Sequence, residues 1–287
     1  MGRRRAGTGA ANAHDHTTYP TCVRHARPRK DVRLRHFFLC EGCTRQWIDE
    51  AFGGTQPFSY GPAIEGYCLL CNHLTNVRLQ TWFLCDICDR VARSIGRNHV
   101  AEGSIMEFWQ RHVVPRYPHL LLTQNDPSSL RPRRETDTSG EGPLDFLVAD
   151  DRTGRTIFGI ENKTGRSTIR EMSRFQLDVS DCDSILHHVR QLSVPAYVIH
   201  AQVLEVWQPP TMGFRAVDLW WSDIYRMTDN FVAVQMRHTE MRGAAYFRRA
   251  AFESMDTFVD QLYDESDELR LVAQFSAQGV PRMYVAE

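Results

Sequence analysis

In the stretch GIENKTG (159–165), Glu161 and Lys163 stand two residues apart, and an acid, Asp145, precedes Glu161 by a gap of fifteen residues. Two carboxylates and one ammonium make a donor set for work on a phosphate: the acids can hold a divalent cation, and the ammonium can donate to a water or a developing oxyanion. The lysine is conspicuous. The chain has 34 Lys and Arg residues, and two of them are lysine, Lys30 and Lys163. Arginine would serve for solubility or a surface ion pair, so a lysine at this place points to a need for a compact ammonium. The competing interpretation is a plain ion pair between Glu161 and Lys163 across one strand face.

A second group of reactive residues lies nearer the N-terminus. Seven of the eight cysteines fall at 22, 40, 43, 68, 71, 85 and 88, mostly as C-x2-C pairs. In a chain without an export signal such pairs mean metal or redox chemistry rather than structural disulfides. The pairs repeat: VRLRHFFLCEGC (32–43) and VRLQTWFLCDIC (77–88) share six of their first nine residues, an internal duplication. Taken copy by copy, Cys22, His25, Cys40 and Cys43 would form one four-ligand site, with His36 as an alternative to His25. Cys68, Cys71, Cys85 and Cys88 would form the other. Each site is closed, as in structural zinc centres. A knuckle, a β-type run and then a helix beginning at the last ligand pair, TRQWIDEAF (44–52) or DRVARSIGR (89–97), resembles a treble-clef zinc finger. Modules this small need the metal to fold. Arg24, Arg27, Arg29, Lys30, Arg33 and Arg35 surround the first site with Phe38 and Trp47, a mixture that a protein partner could also use but that favours nucleic-acid phosphates by a modest margin.

Composition sets the frame. At 287 residues, with 42% apolar and 24% charged residues, the chain has the makeup of a globular protein of one large or two smaller domains. No apolar run approaches a membrane span, and no leader-like segment opens the chain, so the cytoplasm is the expected compartment. The net charge of −1 hides a basic first 36 residues and an acidic stretch at 255–269. We expect a basic disordered arm over 1–17, a tandem zinc-finger region over 18–97 (18–53 and 64–97), and a catalytic domain over 98–287.

The elements that must position the acids and the lysine follow from periodicity. SIMEFWQRHV (104–113) carries one apolar helical face; HLLLTQ (119–124) reads as a strand; residues 124–142 form a polar loop. LDFLVA (144–149), the turn DDRTGR and TIFGIENK (156–163) make a hairpin, followed by a helix at 183–192 and a buried strand at 194–204. Strand alternation puts Glu161 and Lys163 on one face, and the hairpin brings Asp145 beside them. Acids framed by Leu144, Phe146, Phe158 and Ile160 need a compensating partner, and a divalent metal is a natural one.

Asp145, the fifteen-residue gap and Glu161-Asn162-Lys163, set in an αβββαβ order over residues 98–205, resemble the PD-(D/E)xK nuclease superfamily. The resemblance implies an α/β fold, a restriction-endonuclease-like αβββαβ core preceded by two small zinc-binding modules. A proline stands two residues before the acid, at Pro143, rather than immediately before it. The resemblance also implies that Asp145 and Glu161, with the backbone carbonyl of Asn162, hold Mg²⁺ or Mn²⁺, and that Lys163 assists at the scissile phosphate. Accessory roles are conceivable for Glu107, although Ser104–Glu107 also reads as a helix-capping box, and for Gln176, whose usual tyrosine companion is replaced by Ser180. Cys182, His187, His188, His200 and Trp220-Trp221 read as packing or surface residues. Residues 243–263 read as helical. The function expected is a metal-dependent nuclease with two structural zinc ions, acting on DNA ahead of RNA, in restriction or anti-phage defence, with a homodimer compatible with the family. The alternative is a non-catalytic zinc-finger adaptor that binds nucleic acid or protein.

Overall fold

The computed structural model describes residues 19–25, 28–52, 54, 56–125, 144–237, 242–264 and 268–284. The expected basic arm (1–17), Arg27 and most of the polar segment 124–142 lie outside the described residues.

The N-terminal lobe holds β1 (Arg33–Cys40), α1 (Glu41–Phe52), β2 (Phe58–Tyr67) and β3 (Leu74–Leu84), with the sheet in the order β1-β3-β2. The two repeated strands pair with each other. β1 runs antiparallel to β3, and His36 sits opposite Thr81, its counterpart 45 residues on in the duplicated sequence. The pairing is thus centred on equivalent residues, and the repeats are related by a pseudo-two-fold axis through that point. The His36 ring and the Thr81 hydroxyl lie 2.9 Å apart there. Alternation on β1 and β3 buries Phe37, Leu39, Trp82 and Leu84 against Trp47 of α1, with Phe37, Trp47 and Trp82 packed edge to face.

From the second repeat, α2 (Asp86–Phe108) runs unbroken into a π-helical turn, Trp109–Val113. Residues 97 and 98, where a domain break was expected, fall inside this helix. Ser104 therefore sits within a helix and donates to the Val100 carbonyl at 2.8 Å; it is not a cap, and the capping-box interpretation is overturned. Gly96 lets α2 come close: a Cβ there would lie 2.5 Å from the Phe214 ring.

The larger lobe follows: β4 (Leu120–Gln124), β5 (Phe146–Asp150), β6 (Arg155–Gly165), β7 (Arg174–Asp178), α3 (Val179–Leu192), β8 (Ala196–Gln208), β9 (Thr211–Asp223), α4 (Ile224–Asp229), β10 (Phe231–Arg237), β11 (Arg242–Arg248), β12 (Glu253–Ser254), α5 (Phe258–Gln261) and α6 (Arg270–Gln278). The fold is mixed α/β. A six-stranded sheet runs β12-β9-β8-β6-β5-β4, with β6 and β8 parallel and the other pairs antiparallel. A smaller sheet, β10-β11-β7, lies apart. The helix expected at 243–263 is found only toward its end, over 255–261, and its first part is corrected. Residues 242–248 form a strand paired on both sides, Ala245 with Val234 and with Leu177, and Ala244, Ala245 and Phe247 are buried by those neighbours. Tertiary pairing outweighs the helix propensity of alanine here.

The core of the larger lobe joins Ile105 of α2 and Trp109 of the π-helical turn to Phe146, Phe158, Val198, Trp221 and Phe258. Ala201, Val203 and Phe214, from the far half of the β8–β9 hairpin, belong instead to the zinc-lobe core. Two hydrogen bonds tie that hairpin to the knuckle of the second repeat: Phe214 N–H to Asn72 Oδ1 at 2.9 Å and Tyr67 N–H to Thr211 Oγ1 at 2.8 Å.

Candidate active site and metal centres

The cysteine ligands gather in a pairing that copy-by-copy reasoning misses. Cys22 and His25 of the first repeat join Cys85 and Cys88 of the second, while Cys40 and Cys43 join Cys68 and Cys71; within each group the ligand atoms lie within 4.8 Å of one another. The expected sets, each confined to one repeat, are corrected by the antiparallel β1–β3 pairing, which carries the end of each repeated strand to the start of the other. His36 is engaged with Thr81 and takes no part. Donor chemistry and spacing fit zinc. Tetrahedral bonds of about 2.3 Å place sulfurs about 3.8 Å apart, and the structure has Cys22–Cys88 at 3.7 Å, Cys85–Cys88 at 3.6 Å, Cys40–Cys71 at 4.0 Å and His25 Nδ1 at 3.5 Å from Cys85 and Cys88. The crowded thiols also call for a cation. Hydrogen bonds from Cys43 and Cys68 draw Cys71 down to about 4, while contacts with Cys68 and Cys71 drive Cys43 far above its ordinary value.

Asp145 lies one residue before β5 rather than within it. Phe146 opposes Ile160 across the hairpin, so Asp145 meets the start of the Glu161–Lys163 segment. Its Oδ2 accepts from the Asn162 N–H at 2.6 Å, and its own carbonyl accepts from Asn125 at 2.9 Å. Lys163 Nζ stands 2.7 Å from Glu161 Oε1 and 3.2 Å from Asp181 Oδ2, in the first turn of α3. From sequence alone, Asp181 reads as a surface or helix-capping acid.

Glu107, the accessory acid considered from sequence, is 57% exposed and pairs with Arg111. It points elsewhere. Five residues earlier, and so about 140° round the helix, Glu102 is 4% exposed and accepts from Gln124 Nε2 at 2.8 Å. The signal for Glu102 was an acid in the apolar stripe Glu102–Ile105–Trp109, visible once the helix is extended N-terminally. Burial pushes Glu102 up to about 7 against the pull of Gln124. Burial first, then Glu161 and further off Glu102, push Asp145 well above the carboxylate range, against the Asn162 N–H and Lys163. For Lys163, the charges of Glu161, Asp181 and Asp145 overcome burial and hold the ammonium protonated. Acids that resist ionising together are a donor set suited to a divalent cation. They are not drawn as tightly as the cysteine groups, which are the clusters of three or more potential ligands within 4.8 Å among the described residues.

A cleft of about 380 Å³ opens beside Lys163, lined also by Gln176, Asp178, Asp181, Arg174 and His200. Gln176 belongs to β7, not to a helix, and its Nε2 is buried without a hydrogen-bond partner. His200 packs against Phe175, with Nε2 3.1 Å from the Ser167 carbonyl. Cys182 and Trp220-Trp221 are buried in the core. Of the basic residues of the first repeat, Arg29 pairs with Asp31 at 2.9 Å, Arg35 pairs with Asp86, Arg33 donates to the Lys30 carbonyl at 2.6 Å, and the Lys30 ammonium lies 5.8 Å from the Tyr19 ring. Arg24 is half-buried.

No protein-family model and no curated relative matches the chain. Among solved structures it is similar to Hjc, a Holliday junction resolvase from the hyperthermophilic archaeon Archaeoglobus fulgidus, at 8% identity and a TM-score of 0.32, over 58% of this chain and 98% of that one. No helix among the described residues is long and apolar enough to cross a membrane.

Proposed function

We propose that the chain is a metal-dependent nuclease of the PD-(D/E)xK type, hydrolysing phosphodiester bonds. The observation that carries this reading is the convergence of Asp145, Glu161 and Lys163 at the end of a hairpin, with Lys163 lining a cleft and a third carboxylate, Glu102, buried nearby. Asp145 and Glu161, with the Asn162 carbonyl, would hold Mg²⁺ or Mn²⁺, which when bound supplies Lewis acidity at the phosphoryl group. Lys163 stays protonated and supplies a donor to a phosphoryl oxygen as charge builds there. Asp181 holds that ammonium toward the cleft, and Gln176 offers a buried N–H₂ to the same phosphate. Glu102 keeps a proton or gives it up near neutral pH, and its charge adds to the burial and the Glu161 carboxylate that hold Asp145 up.

The zinc lobe would dock nucleic acid through Arg24, Arg29, Lys30, Arg33 and Arg35, with Arg27 of the same run a further phosphate contact. DNA is the preferred polymer, cleavage would occur in the cytoplasm, and a role in restriction or anti-phage defence fits a nuclease of this size. A homodimer would serve to cut two strands.

The test uses zinc-loaded protein, with Mg²⁺ or Mn²⁺ added or omitted so that the structural ions are not stripped. Supercoiled plasmid, linear duplex, single-stranded DNA and RNA are offered to wild type and to Lys163→Ala. Cutting should require the added ion and fall at least about a hundredfold in the variant. A folded wild type that cuts none of them under any condition, while still binding nucleic acid, would leave the adaptor as the better reading.

A further inference from the structure

The mechanism leaves unused a group of arginines on the far side of β6. Glu205 on β8 receives three: Arg166 at 3.3 Å and Arg97 at 3.4 Å on one oxygen, and Arg93 at 3.6 Å on the other. Arg93 is shared with Asp89 at 3.4 Å. Charge-assisted contacts of this kind close to about 2.7–2.9 Å when satisfied, so each guanidinium is held only loosely and keeps N–H donors for another acceptor. Arg166 is 72% exposed. The backbone under it is fixed by Gln202 Nε2, which donates to the Arg166 carbonyl at 2.9 Å. Arg97 lies beside Asn98, whose Oδ1 accepts from Thr164 at 2.8 Å. The cluster is therefore anchored to the strand carrying Lys163, three residues before Arg166.

Two residues beyond Glu205, on the same face of β8, Trp207 is 67% exposed. The other five tryptophans are buried. Lys163 pairs with His200. From there to Glu205 is about 17 Å along the strand, and to Trp207 about 23 Å.

We infer that Arg93, Arg97 and Arg166, with Trp207, form a track for single-stranded nucleic acid leaving the cutting site round the end of β6, its phosphates on the arginines and an unstacked base on Trp207. The inference rests on the nuclease reading and names the form of its substrate. A surplus of cations next to an exposed indole suits a single strand, because stacking on a side chain needs a base freed from its pair. Arginine planes match phosphate oxygens in pairs, which lysines would not. Glu205 is the positioning residue that keeps the three guanidiniums together before the strand arrives.

The test is binding of a twelve-residue oligo(dT), an oligo(rU) of equal length and a blunt duplex to full-length, zinc-loaded Lys163→Ala protein, followed by tryptophan fluorescence and salt titration. Single strands should quench emission, the duplex should not, and Trp207→Phe should remove the signal. Trp207→Ala should weaken oligo(dT) binding at least about fivefold. Arg166→Gln and Arg97→Gln should each lower the slope of log affinity against log salt by about 0.7. Equal response to oligo(rU) would extend the track to RNA. Binding unchanged in Trp207→Ala and Arg166→Gln, both exposed positions at which misfolding is not at issue, would overturn the inference. So would a duplex that quenches as well as a single strand. Wild type is assayed separately for Mg²⁺-dependent cutting, so loss of the nuclease reading shows there and not in the quenching.

Discussion

Glu102→Gln isolates the cost of burying an acid behind the candidate site. In the folded chain Glu102 titrates at about 7 against an ordinary 4.5. Its folded value is raised, so the stability it contributes is fully present below about pH 4.5 and lost as pH rises through 7. The shift of about 2.5 units corresponds to about 3 kcal/mol across that window, an upper figure because the denatured chain also shields the group. Glutamine keeps the volume, and its amide can still pair with Gln124, so the neutral state is imitated while ionisation is abolished. Urea unfolding of the zinc-loaded wild type and variant should give stabilities within about 1 kcal/mol of each other at pH 5. By pH 8 the variant should be ahead by about 2–3 kcal/mol. Effects of pH on the cysteine ligands occur in both proteins and cancel in the difference. A difference that stays constant within about 0.5 kcal/mol from pH 5 to pH 8 would refute the assignment of Glu102 as a buried acid that ionises near neutrality.

Four other outcomes follow from the same structure. Mg²⁺ affinity, read by isothermal titration on zinc-loaded protein, should rise between pH 6 and pH 8 as Glu102 loses its proton to solvent, and Glu102→Gln should flatten that rise. Glu107→Ala should leave cleavage unchanged and alter stability by less than about 0.5 kcal/mol in a thermal melt, since it loses one exposed i,i+4 pair. Elemental analysis should give two zinc ions per chain. Cys88→Ser should disturb the first repeat as well as the second, seen as loss of NMR signal dispersion around Cys22 and His25, because that site draws on both repeats.

Much of the candidate site was legible because strand alternation is local. Glu161 and Lys163 must share a face if residues 156–163 form a strand, and the turn at 150–155 brings Asp145 alongside. The zinc ligands were legible by type and spacing but not by partner, since spacing along the chain does not reveal whether two repeats stand side by side or clasp each other. Glu102 escaped because the helix was begun at Ser104, whose side chain in fact bonds back to Val100. Asp181 escaped because its contact with Lys163 joins a helix to a non-neighbouring strand. The helix expected over 243–263 failed in its first part because alanine-rich sequence takes no account of the strands on either side of it.

The pseudo-symmetric clasp of the two repeats has a consequence for assembly. The Cys40–Cys43–Cys68–Cys71 centre lies wholly between the ligands of the other, with Cys40 and Cys71 31 residues apart and Cys22 and Cys88 66 residues apart. The two ions are nested staples. Closing the inner one first costs less chain entropy, by about 0.7 kcal/mol from loop length alone. Once closed, it shortens the free chain between the outer ligands and raises their effective concentration. With zinc at both clusters, the inner ion would act as the nucleus and the outer as the lock. Cys85 caps α2 and Cys88 lies in its first turn, fourteen residues before Glu102 on the same helix, so the lock would also fix where that acid stands.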